Sequence, residues 1–414
     1  MHSRVVQNLM VFGIAAWMLL GVYSGALNGG MLLDDDNLIY ESAVVRDPHA
    51  LPRIWMDVNA TTDYYPLTYT SWWLDLRLAE LFNISDHFNV SIHLENIVLQ
   101  AISCMLVWMI ARRLGINAWG AALAAGMFAL HPLQVESVAW MSQRKNVLSG
   151  LFYLLSAYGF VRGVMETDRF KPTLYSFALG MFLCALFAKP RVMTLAASLI
   201  VLAWWKGGVL WKRRAALALP FLALAAPMAW WTMHIQKTHV GTSLSIFNHT
   251  LPERCVIAGK VLLFSLGKLV WPADLSFAYH RWNIDTHVFV NWLPAITCIA
   301  ILASAWMAIR WIGRSVFATL AHIVISLSPS LGFISIFWHR YYWTADHEQY
   351  LNVIGFGLFI GGTIGAWMEG RQLFGVRNAN QIPPTIASSA GSPRDRVSTS
   401  STSRARGKSK QTST

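Results

Sequence analysis

Apolar runs of about twenty residues recur along this chain from Leu9 to Trp367, separated by short polar breaks. A helix needs roughly 20 such residues to cross the ~30 Å hydrocarbon core of a bilayer. Within that core only elements that satisfy their own backbone hydrogen bonds persist. The recurrence therefore predicts an all-α polytopic membrane protein. Composition agrees: the chain is 55% hydrophobic and 13% charged, with 20 tryptophans and a mean hydropathy of +0.42, outside the range of an ordinary soluble domain.

Placing the basic loops in the cytoplasm sets a topology. Crossings are expected at about 8–28, 91–111, 118–133, 147–161, 172–188, 192–205, 215–233, 289–309, 316–336 and 350–368, ten in all within a range of 9 to 12, with both termini inside. Between the first two lies a long outer loop, about 29–90, expected to hold short interfacial helices; loops of this length usually carry function. Cys255 to Trp271 is apolar but contains Lys260 and Lys268, and a crossing there would leave the arginines of RWIGR (310–314) and the basic tail outside. It is read as an interfacial or re-entrant helix. Residues 1–370 thus form one transmembrane domain. Residues 371–414, basic and rich in Ser and Thr, cannot build a core and are expected to be a disordered cytoplasmic tail.

The first run could pass for a signal peptide, with Ser24, Gly25 and Ala26 near its end, but its length and the runs behind it favour a retained helix. A net charge of +12 might suggest nucleic acid, yet the excess sits at Arg112-Arg113, Lys212-Arg213-Arg214 and the tail, as the positive-inside bias requires. Membrane lipids, not nucleic acid, are the expected partners. Cys104, Cys184, Cys255 and Cys298 are scattered and form no disulfide framework or zinc pattern, and no Walker A or GxGxxG phosphate loop occurs. The sequons at Asn59, Asn83, Asn89 and Asn248 fall in outer segments, weakly in keeping with the topology.

Ionisable groups cluster at the outer helix ends. GGMLLDDDNLIY places Asp34, Asp35 and Asp36 just past the first helix, where three adjacent carboxylates raise one another's proton affinity. That suits a general base or a ligand for a hard divalent ion such as Mg or Mn, and equally an acidic helix end. His131, Glu136, Arg144 and Lys145 lie in the next outer turn, and Lys189-Pro190-Arg191 breaks the chain between two apolar runs. These cations could bind a phosphate or anchor headgroups. Tyr279, Arg281 and Trp282, with Asp346, His347 and Tyr350, mix aromatic and ionisable groups as a sugar-facing wall or an interfacial belt would.

Taken together, Asp34-Asp35-Asp36, Pro66-Leu67-Thr68 with Leu74-Asp75, the spacing of Asn89, His93 and Asn96, HPLQVESVAWMSQRKNVLSGLFYLLS (131–156), Lys189-Pro190, WPADLSFAYHRW and ADHEQYL resemble the membrane portion of the transmembrane and tetratricopeptide-repeat-containing proteins, in their bacterial-type form. This family is within the GT-C class of glycosyltransferases, and the likeness covers roughly residues 8–368. It implies a GT-C-like bundle that moves a sugar, expected to be a hexose, from a polyprenyl-phosphate donor to a hydroxyl of a protein or glycan acceptor on the periplasmic or lumenal face. It also implies an Asp of the first outer loop as general base, Asp35 before Asp34, with Asp36 as the candidate metal or orienting ligand. Arg144, Lys145, Lys189, Arg191 and Arg281 would meet the charge developing on the lipid phosphate. His131, Glu136, Tyr279, Trp282, Asp346, His347 and Tyr350 would line the substrate site. No 34-residue helical repeat is present, which leaves protein-acceptor recognition open. The competing expectations are a transporter or flippase for a lipid-linked sugar and a catalytically silent scaffold. A bacterial inner membrane is expected, or the endoplasmic reticulum in a eukaryote.

Overall fold

The computed structural model describes residues 2–238 and 248–370; the expected tail lies outside the described residues. Among these the chain forms helices and no strands. Twelve helices reach twelve residues or more: α1 (His2–Tyr23), α2 (Pro66–Leu81), α3 (Phe88–Leu114), α4 (Ala118–Leu130), α5 (Arg144–Phe160), α6 (Pro172–Ala188), α7 (Leu195–Lys206), α8 (Leu219–Thr238), α9 (Leu251–Val270), α10 (Leu293–Met307), α11 (Ser315–Leu327) and α12 (Tyr350–Met368). Six helical stretches are long and apolar enough to span a bilayer, and α4, α6 and α11 add shorter apolar helices. The chain is a multi-pass integral membrane protein.

The helix ends follow local chemistry. Asn117 caps α4 by accepting from Gly120 N at 2.8 Å, and Pro132 forces the break after Leu130, where the run was expected to reach 133. The expected helix 316–336 stops at Leu327 because Ser328–Ser330, with Pro329, turns into a tighter coil. Helices α4 and α12 meet through small residues. Gly357, Gly361 and Gly365, spaced four apart, press on Gly120 and Ala124, and Asn117 Nδ2 donates to Gly365 O at 2.7 Å. Close backbone approach of this kind is how helices associate where no hydrophobic drive exists between them.

The first outer loop is no open strap. Short helices at Ala43–Arg46 and Leu51–Met56 pack with α2 around Ile39, Val44, Val45, Ile54, Tyr69 and Trp72, a small core closed below by Phe88, Ile92 and Met141. An ion network then fastens this cap to the bundle. Arg144, 1% exposed, meets Asp75 of α2 at 2.7 Å and Glu95 of α3 at 2.8 Å, and donates to Asn96 Oδ1 at 2.7 Å.

Both ends of α9 meet the same end of the bundle. Arg254 in its first turn donates to Phe333 O, past α11, while Leu269 O near its last turn accepts from His131, past α4. Both ends of the helix thus reach segments that follow α11 and α4. Its mid-helix cation is satisfied locally, Lys260 donating to Asn291 Oδ1 at 2.7 Å.

Candidate active site

The acidic triplet is divided by packing. Asp35 is 1% exposed, and its two carboxylate oxygens accept from Leu32 N at 2.9 Å and Ser142 N at 2.8 Å. Burial raises its proton affinity and these backbone donors oppose the rise. Trp140 Nε1 donates to Leu32 O, so this carboxylate pins the start of the outer loop to the turn before α5. Asp34 is exposed, with neither hydrogen bond nor ion pair among the described residues, and acts electrostatically on Asp63, Tyr69 and Tyr342. Asp36 is also exposed, and no group of three or more His, Cys, Asp or Glu side chains able to hold a metal occurs among the described residues. Among the described residues, then, no cluster of carboxylates joins Asp36 as a metal ligand.

Asp63 is the junction of the site. Gln236 of α8 donates to its carboxylate at 3.1 Å while accepting from Phe337 N at 3.2 Å, so one amide ties the outer loop to the aromatic segment 337–343. Burial pushes the Asp63 carboxyl up; Lys145 and Lys189 pull it down, and Asp34 pushes it up again. Lys189 donates to Asn146 Oδ1 at 2.6 Å, and Asn146 Nδ2 is held by Ser137 Oγ and His347 O. Burial, then the nearby cations Lys145 and Arg191, hold the Lys189 ammonium well below the ordinary lysine range. Lys145, half-buried in the first turn of α5, makes no hydrogen bond or ion pair among the described residues.

Beside this group runs a chain of paired charges. Glu136 accepts from His347 N at 2.9 Å and meets His347 Nδ1 at 2.5 Å; His347 Nε2 faces Glu348 Oε1 at 3.1 Å; Glu348 pairs with Arg191. Arg191 also donates to Ser330 Oγ and to Glu348 O, each at 2.8 Å. A void of about 10 Å³ among Lys189, Arg191, His347 and Tyr350 has room for no more than a water molecule.

The remaining expected site residues are distributed as follows. Arg144 is neutralised inside the protein and is not among the cations facing the site. Tyr350 donates to Gln100 Oε1 at 2.6 Å within the core. His131 braces α9 through Leu269 O at 3.0 Å. Tyr279 donates to Asp346 Oδ1 at 2.8 Å, Arg281 lies 4.5 Å over the Trp343 ring, and Trp282 O accepts from Trp343 Nε1 at 3.1 Å, so these five residues tie the segment 279–282 to 343–346. Asp63 and Gln236 escaped the reading of the sequence. The acid–aromatic run Asp63-Tyr64-Tyr65-Pro66 was the one available signal for the first, and a lone amide near the end of an apolar helix gives none for the second.

No model of a known protein family matches the chain. It is similar to the protein O-mannosyl-transferases Tmtc1 of Drosophila melanogaster (25% identity over 177 residues, 40% of this chain and 20% of the relative) and TMTC4 of Homo sapiens (25% over 169 residues, 36% and 22%). Similarity to Tmtc2 of Drosophila melanogaster runs further, 25% over 259 residues, 60% of this chain and 24% of the relative. The chain spans between a fifth and a quarter of the length of these relatives. The likeness supports kinship with membrane glycosyltransferases of this kind.

Proposed function

We propose that the protein is a membrane glycosyltransferase that moves a sugar from a polyprenyl-phosphate donor to an acceptor hydroxyl, with Asp34 as general base. The observation that carries this reading is the set of opposite charges acting on Asp63: an exposed Asp34 carboxylate and a Lys145 ammonium, neither with a hydrogen bond or ion pair among the described residues, with Lys189 alongside. An acceptor oxygen attacking C1 of the sugar gives its proton to Asp34. The bond from C1 to the phosphate oxygen breaks with its electron pair on the lipid phosphate. In this reading Lys145, with Lys189 beside it, meets that charge in a poorly hydrated setting where fixed cations are worth most, while Arg191 is taken up by Glu348 and Ser330. Asp35 orients the loop that carries Asp34. The named activity of the relatives makes a mannose-bearing donor and a protein hydroxyl the first pair to try.

The test is release of lipid phosphate from a polyprenyl-phosphate hexose by purified Asp34→Asn and Asp35→Asn. Loss of a positioned base lowers turnover about 10²- to 10⁴-fold. Asp34→Asn should show that loss with an unchanged melting temperature, and Asp35→Asn should lower both. Full turnover in Asp34→Asn would end the assignment.

A further inference from the structure

Lys189 follows α6 directly, at the break that Pro190 forces, and is 9% exposed. Its ammonium carries three donors, yet among the described residues it makes one hydrogen bond, to Asn146 Oδ1 at 2.6 Å, and no ion pair. The other buried cations of this region are held differently. Arg144 meets the carboxylates of Asp75 and Glu95, and Arg191 meets that of Glu348. Lys189 is thus fixed by a neutral oxygen. Asp63 and Glu136 act on it only from beyond ion-pair distance, against Lys145 and Arg191.

The amide that holds it has one orientation open to it. Asn146 stands buried in the first turn of α5, and its Nδ2 donates to Ser137 Oγ at 3.1 Å and to His347 O at 3.0 Å. A carbonyl only accepts and an ammonium only donates, so turning the amide over would set donor against donor at Lys189 and acceptor against acceptor at His347. The backbone beside Lys189 is also held from the outer loop, Thr68 of α2 donating to Ala188 O at 2.9 Å. We propose that Asn146 is a positioning residue for the transfer step, fixing the Lys189 ammonium through a neutral amide so that its charge stays available to the phosphate of the lipid donor. The inference rests on the glycosyltransferase reading above. A carboxylate at this position would fasten the lysine more tightly and cancel its charge; the amide gives the geometry without the neutralisation. Burial and neighbouring cations already oppose the ammonium, and an arriving phosphate is the charge that favours it.

The test compares the wild-type chain with Asn146→Asp, Asn146→Ala, Lys189→Met and the double variant Lys189→Met/Asn146→Ala. Native mass spectrometry in detergent gives the affinity for undecaprenyl phosphate and for undecaprenol, which lacks the charge. Release of lipid phosphate from a polyprenyl-phosphate hexose gives kcat and donor KM, and the melting temperature is read beside them. One hydrogen bond to a charged group is worth about ten- to a hundredfold in affinity. Asn146→Asp should lose about that factor for undecaprenyl phosphate and nothing for undecaprenol, while melting no lower than Asn146→Ala. Asn146→Ala should lower kcat toward the roughly 10²-fold loss of a removed transition-state donor, and adding it to Lys189→Met should cost nothing more. Wild-type affinity for undecaprenyl phosphate in Asn146→Asp, an equal loss for undecaprenol, or losses that multiply in the double variant would each overturn the proposal. So would losses that follow melting temperature across the set. Failure of the wild type to release lipid phosphate would end the glycosyltransferase reading instead, and the affinities alone would then decide the role of Asn146.

Discussion

Replacing Arg144 by Met separates the two roles a cation beside the site could have. In the structure its guanidinium satisfies Asp75, Glu95, Asn96 Oδ1 and, at 3.2 Å, Ile92 O. Met fills most of the volume and removes the charge. Glu95, with its side chain 41% exposed, can turn to water, but Asp75 at 7% cannot. Leaving one buried charge without its partner costs about 3–5 kcal/mol. Burial is the largest influence on Asp75 and raises its proton affinity; Arg144 is the chief influence lowering it, so in the variant the carboxyl stays protonated to higher pH. A carboxyl whose folded proton affinity exceeds its unfolded one stabilises at low pH, and that contribution is lost as pH rises through the folded value. Arg144→Met should therefore melt well below the wild type at pH 8 and recover part of the loss at pH 5. Adding Asp75→Asn should restore stability at pH 8 and remove the extra pH dependence. Melting in lipid nanodiscs at the two pH values, with donor KM measured beside it, reads all of this. A variant with wild-type melting and a raised KM for the lipid donor would refute the reasoning and return Arg144 to the phosphate-binding set.

Two further outcomes follow from the packing. Gly361→Leu should destabilise the bundle by about 1–3 kcal/mol or more, since overpacking a close contact costs that much and a Cβ there would sit 2.2 Å from Gly120 O; Gly362→Ala, with nothing nearer than 3.5 Å, should be silent in the same melting assay. If α9 lies across one end of the bundle, Leu251→Cys and Val270→Cys, 67% and 66% exposed, should both react with an impermeant maleimide added from one side of sealed vesicles. Opposite sidedness would make α9 a crossing.

Much of this architecture was legible beforehand. The expectation of an interfacial or re-entrant helix over Cys255 to Trp271 came from two lysines that interrupt an apolar run, since a lysine must be close to water wherever it sits. The cap between α1 and α3 was harder. Its small core joins Ile39 to Met141, partners a hundred residues apart, and no local pattern announces that pairing. The site shows the same limit. The triplet 34–36 could be marked as a candidate, but its three members are chemically identical in the sequence, and Arg144 and Lys145 are adjacent cations with nothing between them to rank.

Hydropathy is a property of twenty neighbouring residues, so the sequence by itself determined that this chain is helical, crosses a membrane many times and gathers its ionisable groups at helix ends. Which of those groups remain available is a property of packing. Backbone donors at Leu32 and Ser142 close over Asp35 and leave Asp34 open, while Asp75 and Glu95 neutralise Arg144 and leave Lys145 without a hydrogen bond or ion pair among the described residues. Asp63 and Gln236 enter the site for the same reason, because a contact across 173 residues of chain exists only once the helices are assembled.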